Sequence, residues 1–292
     1  MQTRNIELTA TPQTPHFVGD GFRVHTFIPS YPLLDMQRMD PFIYLDYNTK
    51  YIFPASETPR GVSPHPHKGF ETVTIAYKGK VQHHDSAGGG GIIGEGDVQW
   101  MTAGSGILHK EYHEKEWSKK GGEFQMVQLW VNLPAKNKMS APKYQAIEND
   151  KMNKVSLPGN AGIVEVIAGE YGGAKGSAST FSPMHIFNAH LKNGGKAEFN
   201  LPADYNTALL VIEGDVIVNG TQRVETDNFA LMANDGEHFT AEAEKDAIVL
   251  ILSGQPLNEP IAAKGPFVMN TQQELMEAFS DYSSGKFGYL ED

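Results

Sequence analysis

The stretch HPHKGFETVT, residues 65–74, sets the fold class because it cannot be helical. Pro64 and Pro66 alternate with His65 and His67, and proline has no backbone N–H for a helix, so this segment is extended. Side chains two residues apart on an extended chain leave the same face, with Cα atoms roughly 6.5 to 7 Å apart. The two imidazoles can therefore converge on one metal ion.

A second pair with the same spacing is formed by His109 and Glu111. It follows Gly104 and Gly106, which favour a turn leading into a strand. A lone histidine is as often a hydrogen-bonded core or surface residue as a ligand. Two pairs with the same geometry reinforce each other, and together they predict a four-point metal site.

Several nearby residues compete for a ligand role. Glu71 shares the face of the first pair in period-2 counting, so it could replace Glu111 or contact the ligands without binding the metal itself. His113 continues the alternation of the second pair. Only one of His83 and His84 can face inward on a strand, and solvation at a sheet edge is the simpler interpretation.

Short apolar or alternating segments separated by turn residues predict an all-β protein. The predicted strands are residues 70–77, 98–101, 124–133, 162–168, 208–212, 216–219 and 247–253. The glycine run at residues 88–91 lacks the Lys-Ser/Thr and helix of a phosphate loop, so it is interpreted as a hairpin tip. A capping box of Thr271 and Glu274, with Gly285 beyond, predicts one C-terminal helix.

The chain is expected to contain two domains. Residues 134–143 carry two prolines and three lysines without apolar periodicity, which indicates that residues 135–143 are a linker between residues 1–134 and residues 144–292. A faint internal repeat agrees with this division, since an apolar strand runs into Gly79 in one half and into Gly214 in the other. Two β-barrels of similar design would explain the repeat.

Composition narrows the possible functions. The 292 residues include 40% hydrophobic ones, enough for a real core, and the net charge of -11 disfavours direct nucleic-acid binding. Cysteine is absent, which excludes disulfides, iron–sulfur clusters and thiolate zinc sites, so imidazole and oxygen must hold any metal. No apolar run is long enough to span a bilayer. We expect a monomeric cytoplasmic protein without a membrane segment.

Four segments resemble the pirin family, whose members are two-domain proteins of the cupin superfamily. They are residues 65–74 quoted above, residues 96–111 (GDVQWMTAGSGILHKE), residues 128–134 (QLWVNLP) and residues 259–271 (EPIAAKGPFVMNT). The segments occur in the family's order and span most of the chain. The resemblance implies two cupin barrels of the double-stranded β-helix or jelly-roll type, packed together, with a short C-terminal helix.

The resemblance also implies a ligand set. By this resemblance His65, His67, His109 and Glu111 would bind one divalent metal in the N-terminal barrel, with Fe(II) the usual metal, and Glu71 would not be a ligand. Histidine and carboxylate ligands also accept manganese, cobalt, nickel, copper or zinc, so ligand chemistry alone does not choose the metal.

The second barrel is expected to have lost its ligands. Counting from Gly214 aligns Asn200 and Pro202 with the first histidine pair, and counting from Gly236 aligns Phe239 with the third histidine. None of these residue types supplies the imidazole nitrogens of the first half. We therefore expect the C-terminal domain to bind no metal.

The resemblance implies an activity similar to flavonol 2,3-dioxygenases of the quercetinase type. The leading hypothesis is a metal-dependent dioxygenase that opens the flavonol ring with O2 and releases CO, with Glu111 accepting the substrate's proton as the catalytic residue. Phe70, Trp100, Met101 and Trp130 are candidates to line the pocket. The alternative is a non-enzymatic, iron-dependent redox-sensing regulator that binds protein partners such as transcription factors or metabolic enzymes.

Overall fold

The computed structural model describes residues 1–291, and strands dominate the chain as the sequence predicts. In chain order the strands are β1 (Ile6–Ala10), β2 (His16–Val18), β3 (Phe22–Ile28), β4 (Phe42–Phe53), β5 (Gly61–His67), β6 (Phe70–Lys78), β7 (Val81–Asp85), β8 (Gly90–Ile93), β9 (Val98–Thr102), β10 (Ile107–His113), β11 (Gly122–Asn132), β12 (Lys143–Ile147), β13 (Asn153–Ser156), β14 (Gly162–Ala168), β15 (Glu170–Tyr171), β16 (Ala174–Lys175), β17 (Met184–Leu191), β18 (Lys196–Asn200), β19 (Asn206–Glu213), β20 (Val216–Val218), β21 (Gln222–Val224), β22 (Phe229–Met232), β23 (His238–Ala243), β24 (Ala247–Gly254), β25 (Ala262–Lys264) and β26 (Phe267–Met269). All seven predicted strands are confirmed, with ends within two residues of those expected.

Helices are few and short. The α-helices are α1 (Met36–Met39), α2 (Lys115–Ser118) and α3 (Gln272–Ser283), and single 3₁₀ turns lie at Ala135–Asn137, Asn149–Lys151 and Pro158–Asn160. The predicted capping box begins α3, because Thr271 Oγ1 accepts the Glu274 N–H at 3.2 Å and Glu274 Oε2 accepts the Thr271 N–H at 2.9 Å. Within residues 1–291 no helix is long and apolar enough to cross a membrane.

The chain forms two compact units, each a β-barrel built from a seven-stranded and a four-stranded antiparallel sheet. The first barrel comprises residues 14–28, residues 42–149 and the chain from Leu257 onward. Its larger sheet has the order β12-β9-β6-β11-β4-β3-β2, and its smaller sheet has the order β5-β10-β7-β8. Two facing sheets of this kind are the expected jelly-roll architecture.

The second barrel repeats this plan with residues 1–13, 29–41 and 150–256. Its sheets have the orders β1-β22-β19-β24-β17-β14-β13 and β18-β23-β20-β21. The internal repeat seen in the sequence corresponds to matching turns between the larger and the smaller sheet, because Gly79 joins β6 to β7 and Gly214 joins β19 to β20, both with positive φ. The prediction of two similar barrels is confirmed.

The division between the units differs from the one expected at residues 135–143. Strand β12 begins at Lys143 and pairs with β9 inside the first barrel, so the expected linker lies within that barrel. Lys138, which suggested a solvated segment, is buried, and its ammonium donates to three oxygens. These are the carbonyls of Gly69 and Val268, at 2.8 and 2.9 Å, and the side chain of Asn132, at 2.7 Å.

The last part of the chain also belongs to the first barrel and not to residues 144–292 as a unit. The hairpin of β25 and β26 precedes α3, and Lys68 forms a bridge with Phe267. Lys68 Nζ also lies 2.6 Å from Asp281 Oδ2 in α3. Contacts between residues about 200 positions apart therefore close this barrel.

Alternate residues of the four-stranded sheet of the first barrel face its interior. The buried positions of β10 are Ile107, His109, Glu111 and His113, and those of β7 are Val81, His83 and Asp85. Imidazoles and carboxylates thus occupy places that an ordinary core gives to aliphatic side chains. Buried groups of this kind are costly unless each finds a hydrogen bond or a metal.

The second barrel has an apolar interior at the corresponding places. Phe199 pairs with Phe239 across β18 and β23, and their rings stack at 5.0 Å, whereas His65 pairs with His109 across β5 and β10. The alignment of Phe239 with His109 therefore agrees with the strand pairing. The alignment of Asn200 with His65 is wrong, because Asn200 is an exposed strand end whose side chain contacts His238.

Glu71 faces away from the interior of the first barrel. Gly69, with φ of 88°, turns the chain between β5 and β6 and breaks the period-2 count that placed Glu71 on the histidine face. A Cβ at Gly69 would lie 1.9 Å from the Val268 carbonyl oxygen, so the turn requires glycine. Burial raises the pKa of Glu71 to about 7, although Thr102 Oγ1 donates to its carboxylate at 2.7 Å.

We predict that Lys138→Met lowers the free energy of unfolding by on the order of 3 kcal/mol, because three buried oxygens lose their donor. Lys136→Met is the matched control, since Lys136 is exposed in the same turn and should change stability by less than about 0.5 kcal/mol. Urea unfolding of both variants measures the difference. Equal stabilities would show that residues 135–143 behave as a linker after all.

We predict that Glu71→Gln stabilises the protein at pH 8 but not at pH 4. The folded pKa of about 7 exceeds the ordinary value of 4.5, so Glu71 favours folding below pH 4.5, and that contribution is lost as the pH rises through 7. The amide of the Glu71→Gln variant cannot ionise, so the variant avoids up to about 3 kcal/mol of this loss of folding stability. Chemical unfolding of both proteins from pH 4 to pH 8 measures it, and a pH-independent difference would contradict the burial of a titrating carboxyl.

Candidate metal centre

Three predicted ligands meet inside the first barrel. Strands β5 and β10 pair antiparallel with His65 opposite His109, and the extended backbone of the prolines places His67 on the same face. The ring centroids are 4.9 Å apart for His65 and His67, 4.2 Å for His65 and His109, and 4.8 Å for His67 and His109. One ring nitrogen of each lies within 4.8 Å of the other two, which is a distance one ion can bridge.

Hydrogen bonds leave one lone pair on each ring for a metal. His65 Nδ1 lies 2.9 Å from the Ser63 carbonyl oxygen, and His67 Nδ1 lies 3.3 Å from that of Pro266. A carbonyl only accepts, so both rings carry their proton on Nδ1 and a lone pair on Nε2. His109 Nε2 is buried without a hydrogen-bond partner. Two unshared lone pairs beside a third, unpartnered ring nitrogen fit a bound cation.

The three imidazoles are in their metal-binding form. Burial lowers the pKa of His65, and it lowers the pKa values of His67 and His109 to well below the ordinary range. The neighbouring histidines add to the effect on His67 and His109, because a positive charge on one ring disfavours a second. The rings are therefore neutral at physiological pH, as coordination requires.

Glu111 lies on the same inward face of β10 and is held by three side chains. Thr74 Oγ1 donates to Oε1 at 3.2 Å, Gln99 Nε2 donates to the same oxygen, and Gln128 Nε2 donates to Oε2 at 2.6 Å. A carboxylate oxygen of Glu111 lies within 4.8 Å of ligand nitrogens of His109 and His83. The structure thus brings the fourth predicted ligand to the third one, and it places His83 there as well.

Two of the competing histidines have other roles. His113 Nε2 donates to the Gly21 carbonyl oxygen at 2.8 Å, and the ring is packed among aromatic rings. Those rings belong to Phe22, Phe53, Trp117 and Phe124. Burial lowers the pKa of His113 to about 4, so it is a neutral core residue. His84 is on the outward face of β7 and contacts the Tyr112 hydroxyl at 2.8 Å.

His83 is a site residue that the sequence interpretation missed. It is fully buried, its Nδ1 lies 3.4 Å from His109 Nδ1, and its Nε2 lies 3.1 Å from Asp85 Oδ2. Solvation at a sheet edge is therefore wrong for this residue. The signal was the alternation Val81, His83, Asp85, which repeats the two-residue spacing of the predicted ligand pairs.

A small cavity borders the cluster. His65, Glu111 and Gln128 line it together with Val62, Met126 and Asp46. Asp46 was also missed from the sequence, although it is the one acid in an apolar strand, and Thr26 Oγ1 donates to it at 2.5 Å. Burial raises the pKa of Asp46 above the ordinary value of that carboxyl.

Two of the four predicted pocket residues contact the cluster. Phe70 and Trp130 stack with centroids 4.2 Å apart, and they lie 5.0 and 5.2 Å from the His67 ring. Tyr44 continues the wall at 4.7 Å from Trp130. Trp100 is wrong as a pocket residue, because it pairs with Val73 on the face of the sheet that also carries Glu71.

The chain resembles pirins over most of its length. Residues 21–131 match the Pirin family model, and residues 186–288 match the model of the pirin C-terminal cupin domain. A Pseudomonas aeruginosa protein provisionally named quercetin 2,3-dioxygenase is 47% identical over 93% of this chain and 94% of its own. A pirin-like protein of Solanum lycopersicum is 37% identical over 87% and 84%, respectively.

A solved structure agrees with these relatives. The crystal structure of quercetin 2,3-dioxygenase from Acinetobacter baumannii superposes with a TM-score of 0.93 at 48% identity, covering 99% of this chain and 100% of that one. The match spans both barrels. The chain therefore belongs to the pirin family of two-domain cupin proteins.

Proposed function

We propose that this protein is a metal-dependent dioxygenase that acts on flavonols such as quercetin. His65, His67, His109 and Glu111 would hold one divalent metal, with Fe(II) as the first choice. The observation that carries the proposal is the arrangement of three neutral, correctly protonated imidazoles beside a buried carboxylate at the wall of a cavity. The names of the Pseudomonas and Acinetobacter relatives support the choice of reaction.

The charge of the site suits an anionic substrate. Three neutral imidazoles and one carboxylate leave a divalent ion with a net charge of about +1. When bound, such an ion acts as a Lewis acid that favours the deprotonated form of a flavonol hydroxyl. Iron, manganese, cobalt, nickel, copper and zinc all accept this ligand set, and elemental analysis of protein purified without chelators identifies the native one.

Glu111 would accept the proton of the substrate's 3-hydroxyl. Its two oxygens receive hydrogen bonds from Thr74, Gln99 and Gln128, which hold the carboxylate at the cavity wall. Gln128 belongs to β11, the strand that also carries Trp130. One strand therefore carries both a residue that orients the base and a residue of the aromatic wall.

The overall reaction balances without a further reductant. The flavonol and O2 give a ring-opened ester and CO, so that carbon 3 leaves as CO and both atoms of O2 remain in the ester product. The protein's part is to bind and orient the planar substrate and to take up its hydroxyl proton. The half-buried rings of Tyr44 and Trp130, next to Phe70 and His67, supply an aromatic wall for such a ring system.

We predict that the iron-loaded protein consumes O2 and releases CO when quercetin is added, and that His109→Ala loses both metal and turnover. Metal binding should weaken on the order of 100-fold or more, since a ligand and not merely its support is removed. His238→Ala in the second barrel is the control and should keep both. Quercetin consumption by metal-free His109→Ala protein would overturn the proposal.

We predict that Glu111→Gln, assayed at saturating metal, lowers kcat by about 10² to 10⁴ because the proton acceptor is removed. Glu71→Gln is a matched control, since it changes a buried glutamate on the opposite face of the larger sheet and should leave kcat unchanged. Steady-state oxygen uptake measures both variants. An unchanged kcat for Glu111→Gln would assign the proton transfer to another group.

The regulatory alternative is decided by the same assay. If no flavonol supports O2 uptake by the fully loaded wild-type protein, the dioxygenase proposal fails. The function to test is then metal-dependent binding of a protein partner, which the net charge of -11 restricts to partners other than bare nucleic acid.

A further inference from the structure

The hairpin between β7 and β8 contains an acid that no ligand role explains. Asp85 ends β7, and its Oδ1 accepts the backbone N–H groups of Ala87 and Gly89 at 2.9 and 2.8 Å. A Cβ at Gly89 would lie 2.3 Å from Asp85 Oδ2 and 2.8 Å from Tyr144 Cβ, so only glycine lets the turn close over the carboxylate. The glycine run at residues 88–91 therefore packs against the Asp85 carboxylate and also forms the hairpin tip.

The second oxygen of Asp85 fixes the tautomer of His83. Oδ2 lies 3.1 Å from His83 Nε2, and both side chains are almost completely buried, at 1% and 0% exposure. Oδ1 already accepts two backbone N–H groups, an arrangement that favours the ionised carboxylate. An ionised carboxylate only accepts, so His83 carries its proton on Nε2 and a lone pair on Nδ1.

The lone pair on His83 Nδ1 in turn fixes the tautomer of His109, the third predicted ligand. His83 Nδ1 lies 3.4 Å from His109 Nδ1, and two nitrogens that face each other cannot both accept. His109 must therefore carry its proton on Nδ1, which leaves its unpartnered Nε2 with the lone pair. Tyr144 stacks on His83 at 5.0 Å with an interplanar angle of 20° and holds the ring in this orientation.

We propose that Asp85 and His83 are positioning residues: they form a hydrogen-bonded relay that fixes the Nε2 lone pair of His109 toward the metal and makes that ligand more basic. The inference rests on the proposed function only in taking His109 as a metal ligand. It assigns a role to a histidine and an acid that neither the ligand set nor the reaction requires.

The relay makes the ligand set asymmetric. His65 and His67 donate their Nδ1 protons to neutral carbonyls, whereas His109 donates its proton toward a chain that ends at a negative charge. A partner with negative character raises the donor strength of an imidazole and with it the affinity for a divalent ion. The carboxylate thus strengthens one metal ligand without contacting the metal itself.

The decisive variant is Asp85→Asn, which keeps the shape of the side chain. Its carbonyl oxygen still accepts the amides of Ala87 and Gly89, so its NH2 group faces His83 Nε2 and requires a lone pair there. The proton of His83 then moves to Nδ1, and that of His109 moves to Nε2, where it blocks the metal. We expect the dissociation constants of Zn²⁺ and Fe(II), measured by chelator competition, to rise about 10- to 100-fold.

Asp97→Asn is the matched control. The Asp97 carboxylate also caps a turn of the first barrel, accepting the N–H groups of Gly94 and Asn149 at 2.9 and 2.8 Å, but it has no bond to a histidine. It should keep wild-type metal affinity even where it lowers the melting temperature. Equal losses of affinity in both variants, or none in Asp85→Asn, would reduce Asp85 to a structural cap and overturn the relay.

A measurement on the wild-type protein covers the case in which Asp85→Asn does not fold. Long-range ¹H–¹⁵N correlation spectra of the metal-free protein distinguish the two tautomers of each histidine. The relay requires the proton of His83 on Nε2 and that of His109 on Nδ1, and the opposite assignment of either ring refutes it. Because this readout is independent of turnover, inactivity with flavonols would overturn the dioxygenase and leave the relay standing.

Discussion

The histidine cluster of the first barrel depends on a single constraint, which is the assignment of protons among imidazoles that the smaller sheet turns toward a largely buried interior. Where water does not reach, every N–H needs an acceptor and every lone pair a donor or a cation. The carbonyls of Ser63 and Pro266 fix the tautomers of His65 and His67. Asp85 fixes the tautomer of His109 through His83. What remains is a set of nitrogen lone pairs that no protein donor satisfies, and this is the feature on which the proposed metal site rests.

The two barrels show that the backbone plan does not dictate this chemistry. Each has a four-stranded sheet with an inward cross-strand pair at the same place, and the pair is His65 with His109 in one barrel and Phe199 with Phe239 in the other. Ladder hydrogen bonds are made by the main chain, so they tolerate either choice. An apolar pair is stabilised by burial alone, whereas the histidine pair needs the surrounding acceptors described above.

Contacts between distant parts of the chain both stabilise the first barrel and orient a histidine of its cluster. The chain from Leu257 onward returns to this barrel, where the Pro266 carbonyl accepts the His67 proton and Asp281 pairs with the buried ammonium of Lys68. Lys138 joins the same region by donating to the Val268 carbonyl. The His67 ring is thus oriented by a residue about 200 positions later, which explains why the barrel cannot be cut from the chain at a single boundary.

Local sequence patterns predict seven of the strands, the extended histidine pairs and the capped helix, because proline geometry, period-2 alternation and capping act between near neighbours. The resemblance to pirins supplied the choice of Glu111 over Glu71, which spacing had left open. The unit boundaries, the outward face of Glu71 and the inward place of His83 follow from long-range contacts that no local pattern reveals. One glycine turn at Gly69 resets the alternation, and strand register, set by main-chain pairing across the barrel, determines which side chains meet.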